Sequence, residues 1–445
     1  GSRHGPGLSD ALPELAALVD AGHVIALRWT ALDPDDTTMA AGRRLMTASG
    51  VEAAIAALRD FRVPMQNILL ADATGAIAFI APGRVPVRND ASATKGVVPA
   101  RGWTGTDEWI GWVPYAALPR RVDPADGLLA TANEKIVGSD YPYYLTRDWT
   151  PPYRADRIDQ LLRAQARHDR DSFAAMQHDT VSLEVRALKD AMLRRGAFQG
   201  RHGALRAALA DWDGAMDGAL PQPLIYIAWV HAFAERLFAD ELGPLFARHR
   251  ANKADFLYHV LTQETFDAWC DDVTTVAMRE DCAEILARAL DDAVAALAHE
   301  QGRDWRRWRW ADVHRMVHQH QPMSDAPALA WLFELAMHQG GGPGAIDVAY
   351  PGLSTPRPFD SVIGPSYRAI YDLAQPDQSL YVIPTGQSGQ PLSRHYRDLS
   401  RIWRAQGYVR IPTQWAAASE GALGRLTLRP AKEKDGQHGR TAGHR

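Results

Sequence analysis

The order of apolar patterns along the chain predicts an α+β fold. Short strand-like runs occupy the first 150 residues, helical stripes fill residues 153–310, and strand-like runs return from about residue 340. Strands and helices are segregated, not alternating, so a parallel βαβ sheet is not expected. An antiparallel sheet completed from both ends, with a helical block inserted between, is expected instead. The divisions are 1–150, rich in strand; 151–335, mainly helical; 336–429, strands completing the sheet; and 430–445, a polar tail without apolar period that is expected to be disordered.

Each element has a local reason. Val24 to Trp29 reads as a buried strand and Val51 to Leu58 as a helix. Ile68 to Ala71 and Ala76 to Ile80 flank Asp72-Ala73-Thr74-Gly75, turn chemistry between two apolar runs, and predict a hairpin. Residues 82–124 are rich in Gly, Pro and Trp and read as ordered loops, because Trp103, Trp109 and Trp112 call for burial. Ile158, Leu161, Leu162 and Ala166 form one helical stripe; Leu286, Leu290, Val294 and Leu297 form another. Gly196 to Gly214 is a turn-rich interruption. Strands are expected over Ala345–Tyr350, Ala369–Leu373 and Ser379–Pro384, and a short helix around 395–405.

The 445 residues correspond to roughly three average domains or one large elaborated one. Hydrophobic residues make up 46% and charged residues 23%, values of a chain that buries a core. With 49 basic and 53 acidic residues, net charge −4, nothing draws the chain as a whole to nucleic acid. No apolar run is long enough for a membrane span, and no signal peptide is visible at the start. Cys270 and Cys282 would lie about 18 Å apart within one helix, too far to bridge. A helical break between them permits a disulfide; without one they are two buried thiols.

Three strings suggest chemistry and fail on inspection. His314 and His318 have i, i+4 spacing, but Arg315 stands where a metalloprotease needs Glu. Gly386-Gln387-Ser388-Gly389-Gln390 misses the last glycine of a nucleophile elbow, and Pro391 follows where a helix should start. Gly340–Gly344 lacks the Lys-Ser/Thr of a phosphate loop and leads into a strand pattern. Tight turns and packing roles account for all three.

Taken in order, a longer series of strings resembles the penicillin acylase family of N-terminal-nucleophile amidohydrolases. It runs through Arg3-His4-Gly5-Pro6, Ala26-Leu27-Arg28-Trp29, Gln66-Asn67, Leu70-Ala71-Asp72, Gly83-Arg84-Val85-Pro86 and Trp109-Ile110-Gly111-Trp112. It continues with Leu129-Ala130-Thr131-Ala132-Asn133, Asp140-Tyr141-Pro142, Tyr153 to Ile158, Met176-Gln177-His178-Asp179, Gly364 to Arg368 and Gly386 to Gly389. The resemblance covers the later part of the family's large subunit. It implies the C-terminal portion of an αββα N-terminal-nucleophile sandwich carrying an inserted helical block.

In that family an N-terminal Ser attacks the amide and its own α-amine acts as base. The resemblance places this Ser, the family's early His, and the small subunit outside the present sequence. It maps Asn133 onto the oxyanion-hole Asn and Arg157 onto the Arg that orients it and stands near the nucleophile. Glu134 stands where many relatives carry a second Asn. Asn133 also reads as a turn residue, Arg157 as the start of a helix with an exposed ion pair, and Asp156 as a helix N-terminal residue. The implied partners are a small-molecule amide and the small subunit and N-terminal part of the large subunit of one precursor. No catalytic cofactor is implied; structural calcium occurs in relatives, with no ligands placed here. The family is usually exported, so a periplasmic or secreted location is expected, and a Cys270–Cys282 bridge would agree with it. A lactone-signal acylase within the family, and an inactive homologue acting as a binding module, are the alternative readings.

Overall fold

The computed structural model describes residues 2–248, 253–275, 277–352 and 357–429. The expected tail, 430–445, lies outside the described residues.

The helical block is built on one helix whose first three turns are buried on every side. Gln222–Leu242 buries Leu224, Ile225, Tyr226, Ile227, Trp229, Val230, Phe233 and Leu237, which marks a central rather than a surface helix. Cys282–Gln301 packs along it through Ile285, Leu286, Leu290 and Leu297. Trp229 is fully buried, and its indole N–H donates to Leu286 O at 2.9 Å, so the ring is satisfied as well as packed. Leu183–Arg195 closes a third side with Val185, Leu188 and Met192. Ser182 starts this helix by accepting from Val185 N–H at 3.1 Å, and Asp281 does the same for Cys282–Gln301 through Glu284 N–H at 2.8 Å. A short 3-10 helix, Glu264–Cys270, ends before the long helix opens at Cys282, and the break brings the two cysteines together in a disulfide with Cα atoms 5.0 Å apart.

The strands do not form one sheet. The hairpin is as the turn chemistry predicts: β1 (Ile68–Ala71) pairs antiparallel with β2 (Ile77–Ile80), Ile68 opposite Ile80. β3 (Pro86–Arg88) and β4 (Trp109–Trp112) make a separate ribbon, and β5 (Arg120–Val122) adds to β2. β6 (Arg315–His318) pairs with β7 (Leu335–His338); β8 (Arg368–Ile370), β9 (Leu380–Val382) and β10 (Val409–Arg410) form the last sheet. Among the described residues no strand of the first 122 pairs with one beyond 315, so the expectation of one sheet completed from both ends is corrected to four small antiparallel sheets.

Other expectations change for local reasons. Residues 345–350 are not a strand: Asp347 and Ala349 are drawn inward by an ion pair and by packing, and only a bridge from Gly342 to Val348 remains. Val24–Trp29 likewise reduces to a bridge between Gly7 and Ala26. The Gly196–Gly214 interruption contains a helix, Gly203–Ala210, whose Leu205 and Leu209 reach the core. Trp103 is 68% exposed rather than buried. Trp109 and Trp112 meet edge to face at 5.5 Å and are covered by arginines, Arg28 over Trp109 at 4.6 Å and Arg84 over Trp112 at 4.2 Å. Cation–π cover replaces burial there.

Candidate functional site

The loop Thr131–Asn133 is held from both sides. Asn67, just ahead of β1, donates its amide to Thr131 Oγ1 at 2.7 Å. Thr150 N–H donates to the Asn133 carbonyl at 3.1 Å. The backbone turns left-handed at Asn133, with φ of 71°, a conformation Asn tolerates because its short polar side chain bonds locally. Glu134 folds back to accept from Ala132 N–H at 2.6 Å and so tightens the same turn.

The helix Tyr153–Arg163 carries two arginines on one face, a turn apart, and the first of them reaches this loop. Arg154 donates through Nη2 to Ala132 O at 2.7 Å and to Asn133 Oδ1 at 2.5 Å. Arg157 does not reach Asn133 in this arrangement. It makes a two-pronged pair with Asp179, Nε to Oδ1 at 3.0 Å and Nη2 to Oδ2 at 2.7 Å. Asp179 takes the fork of Arg157, and Arg154 takes the amide oxygen of Asn133. Asp179 also accepts from Val181 N–H at 3.2 Å, and the bond Arg157 makes to Asp179, opposed by burial, holds the guanidinium above its usual range. Asp156 lies in the first turn of the helix, as expected of an N-terminal acid.

The geometry has a chemical consequence. With its Oδ1 occupied by a cation, the Asn133 amide is oriented, and its Nδ2 has no protein partner among the described residues. The side chain is exposed, so that N–H₂ faces outward and is available to an acceptor.

Behind Arg154 lies an acid that sequence reasoning missed. Burial, reinforced by the negative charge of Asp255 and opposed by Arg154, pushes the Glu184 carboxyl up to about 7. Gly344 is required beside it: its φ is 68°, and a Cβ there would meet Glu184 Cβ at 2.6 Å and Ser182 Oγ at 2.8 Å. Tyr153 and Tyr226 are held above the usual phenol range, burial being the first cause in each.

The rejected strings take structural places. His314 stacks on Trp310 at 4.2 Å and bonds the Phe359 carbonyl through Nδ1 at 2.7 Å. His318 ends β6, so the i, i+4 pair is not on a helix. Gly386 packs so closely against the His395 carbonyl that a Cβ would sit 2.0 Å away, the mark of a tight turn. Among the described residues no group of three or more His, Cys, Asp or Glu is placed to hold a metal ion. No helix among them is long and apolar enough to cross a membrane.

A family model described as penicillin amidase matches residues 1–420. The chain is 30% identical to an acyl-homoserine lactone acylase, QuiP, of Pseudomonas aeruginosa, over 97% of this chain and 54% of that protein. It is also 30% identical to a penicillin acylase 2 proenzyme of Pseudomonas sp. strain SE83, again over 97% of this chain and 54% of the other. The chain thus spans about half the length of these curated relatives. A thermostable penicillin G acylase from Alcaligenes faecalis has a similar fold, with a TM-score of 0.64 at 17% identity, covering 97% of this chain and 78% of that one.

Proposed function

The chain belongs to the penicillin amidase family, and from that premise we propose that it supplies the oxyanion-stabilising part of an amidohydrolase acting on linear amides. The observation that carries the reading is the Arg154–Asn133 bond, which holds the amide oxygen and leaves Nδ2 free to donate.

The nucleophile in this reading is an N-terminal Ser carried outside these 445 residues. Its Oγ attacks the amide carbon while the α-amine accepts the hydroxyl proton. The carbonyl oxygen becomes an oxyanion and takes a hydrogen bond from Asn133 Nδ2. Collapse expels the amine, which receives the proton, and leaves an acyl-enzyme ester. Water then attacks the ester carbon through a second oxyanion at the same place and releases the acid. A neutral amide suits this work, because it donates without a competing proton equilibrium. Arg154 positions the donor. Arg157, tied to Asp179, supports the same helix face and adds positive charge near the attacking group, which favours the free amine.

The partners in this reading are the small subunit and the earlier part of the large subunit, and the substrate is a small amide. No cofactor enters the chemistry. The Cys270–Cys282 bridge supports assembly in an oxidising compartment outside the cytoplasm.

The test uses the enzyme assembled from the full-length precursor. Asn133→Ala should lower kcat by about 100-fold or more on a phenylacetyl amide or a long-chain acyl-homoserine lactone, whichever is turned over, with the isolated 445-residue chain inactive on both. An unchanged kcat would remove Asn133 from the mechanism. Hydrolysis by the isolated chain would place the nucleophile within it.

A further inference from the structure

A second polar site lies beside Asp179, whose chain neighbours His178 and Thr180 line it. A cavity of about 230 Å³ opens between the segment 178–180, the end of β7 and the helix Asp398–Arg404. Its wall includes His178, Gln339, Asp347, Arg368, Trp403 and Arg404.

The wall holds buried donors that lack partners. Arg368 is 4% exposed; it donates through Nη2 to Asp347 Oδ1 at 2.6 Å and lies over the Trp403 ring at 4.4 Å. That ion pair is neutral as a unit, yet Arg368 Nε is buried without a hydrogen-bond partner. Trp403 Nε1 and Gln339 Nε2 are also buried and unpartnered. Three unpaired N–H groups around one cavity are costly unless something accepts from them. Asp217, on the rim, already accepts from Ala219 N–H at 2.8 Å. Tyr408 gives its proton to Gln177 at 2.7 Å and so takes its bond from His178 Nε2 at 3.2 Å. Arg404 adds an exposed guanidinium that has no protein partner among the described residues.

We propose that this cavity binds a small anion through its oxygens, a carboxylate or a phosphate, which accepts from Arg368 Nε, Trp403 Nε1 and Gln339 Nε2 and is closed in by Arg404. The volume suits that class: it is many times the roughly 10–15 Å³ that one water needs on the same measure, room for a phosphate or a short carboxylate. The guanidinium chemistry suits it as well. The inference is independent of the amidohydrolase reading, although the two sites touch through one peptide: Asp347 N–H donates to the Asp179 carbonyl at 3.0 Å.

The experiment is a titration of the 445-residue chain labelled with ¹⁵N at its 14 indoles, with the Trp403 resonance assigned by its loss in Trp403→Phe. Sodium phosphate and sodium acetate are the probes, with sodium chloride at matched ionic strength as the reference. A saturable shift of the Trp403 indole with phosphate, acetate or both, weakened about tenfold in Arg404→Ala, is expected, and the stronger of the two names the anion. Either of two results overturns the proposal: a Trp403 indole that stays unmoved or responds equally to chloride, or equal affinity in Arg404→Ala, an exposed site whose loss leaves the core intact.

Discussion

Arg154 places a single nitrogen, Nη2, between two oxygens of one turn, Ala132 O at 2.7 Å and Asn133 Oδ1 at 2.5 Å. The side-chain amide is thereby locked to its own backbone turn through a third party on a neighbouring helix. If this contact positions the donor, Arg154→Met should lower kcat by about 10- to 100-fold with little change in KM, because only the charged state needs the amide in place. Arg154→Lys should recover part of the loss, since one nitrogen makes both bonds. Steady-state kinetics of the assembled enzyme separates this from general damage, which would move KM and expression together.

Arg157 should matter first for stability. Arg157→Met strands the Asp179 carboxylate, 14% exposed, with only the Val181 N–H as partner among the described residues. A loss of about 2–4 kcal/mol is expected, read as a lowered urea midpoint of the 445-residue chain. The double variant with Asp179→Leu should recover much of it, because a paired removal leaves no orphaned charge.

Glu184 should make stability depend on pH. Its carboxyl is raised from 4.5 in the free side chain to about 7 in the fold. The folded state therefore holds a proton that the unfolded chain releases, and the contribution is fully present below pH 4.5 and is lost as pH rises through 7. Glu184→Gln, which cannot ionise, should be more stable than the parent by about 1–3 kcal/mol at pH 8 and nearly equal to it at pH 4.5. Urea unfolding at the two pH values checks the sign.

The disulfide closes a short loop, with 12 residues of separation. Chain-entropy arguments give about 3 kcal/mol for a loop of that size. Replacing both Cys270 and Cys282 by Ala should lower the unfolding free energy by that order, read from urea denaturation. The helix Cys282–Gln301 should keep its circular-dichroism signal, since Asp281 still caps it.

Local chemistry made part of this fold legible. The Asp72–Gly75 turn fixed the hairpin register, and the stripe from Leu286 to Leu297 located a core helix, because both signals are contained within a few residues. Long-range pairing was not legible. Ala345–Tyr350 has strand-like residues, but Asp347 bonds Arg368, 21 residues later in the chain, and that tie outweighs local propensity. Asn133 and Arg157 were located by ordered strings, whereas their contacts were not. Arg154 was missed, although a cation in the first turn of a helix opposes the helix dipole and so calls for a nearby acceptor. Glu184 left no trace in sequence, because its burial depends on Asp255 and on the approach of Gly344.

The left-handed backbone at Asn133 narrows what a saturation library at that codon can return. β-Branched residues are excluded by shape before chemistry is asked of them. Glycine keeps the loop and erases the amide; aspartate keeps the loop and swaps a donor for an acceptor of the wrong sign. Those two clones, folded and silent, would separate what the position contributes to architecture from what it contributes to turnover.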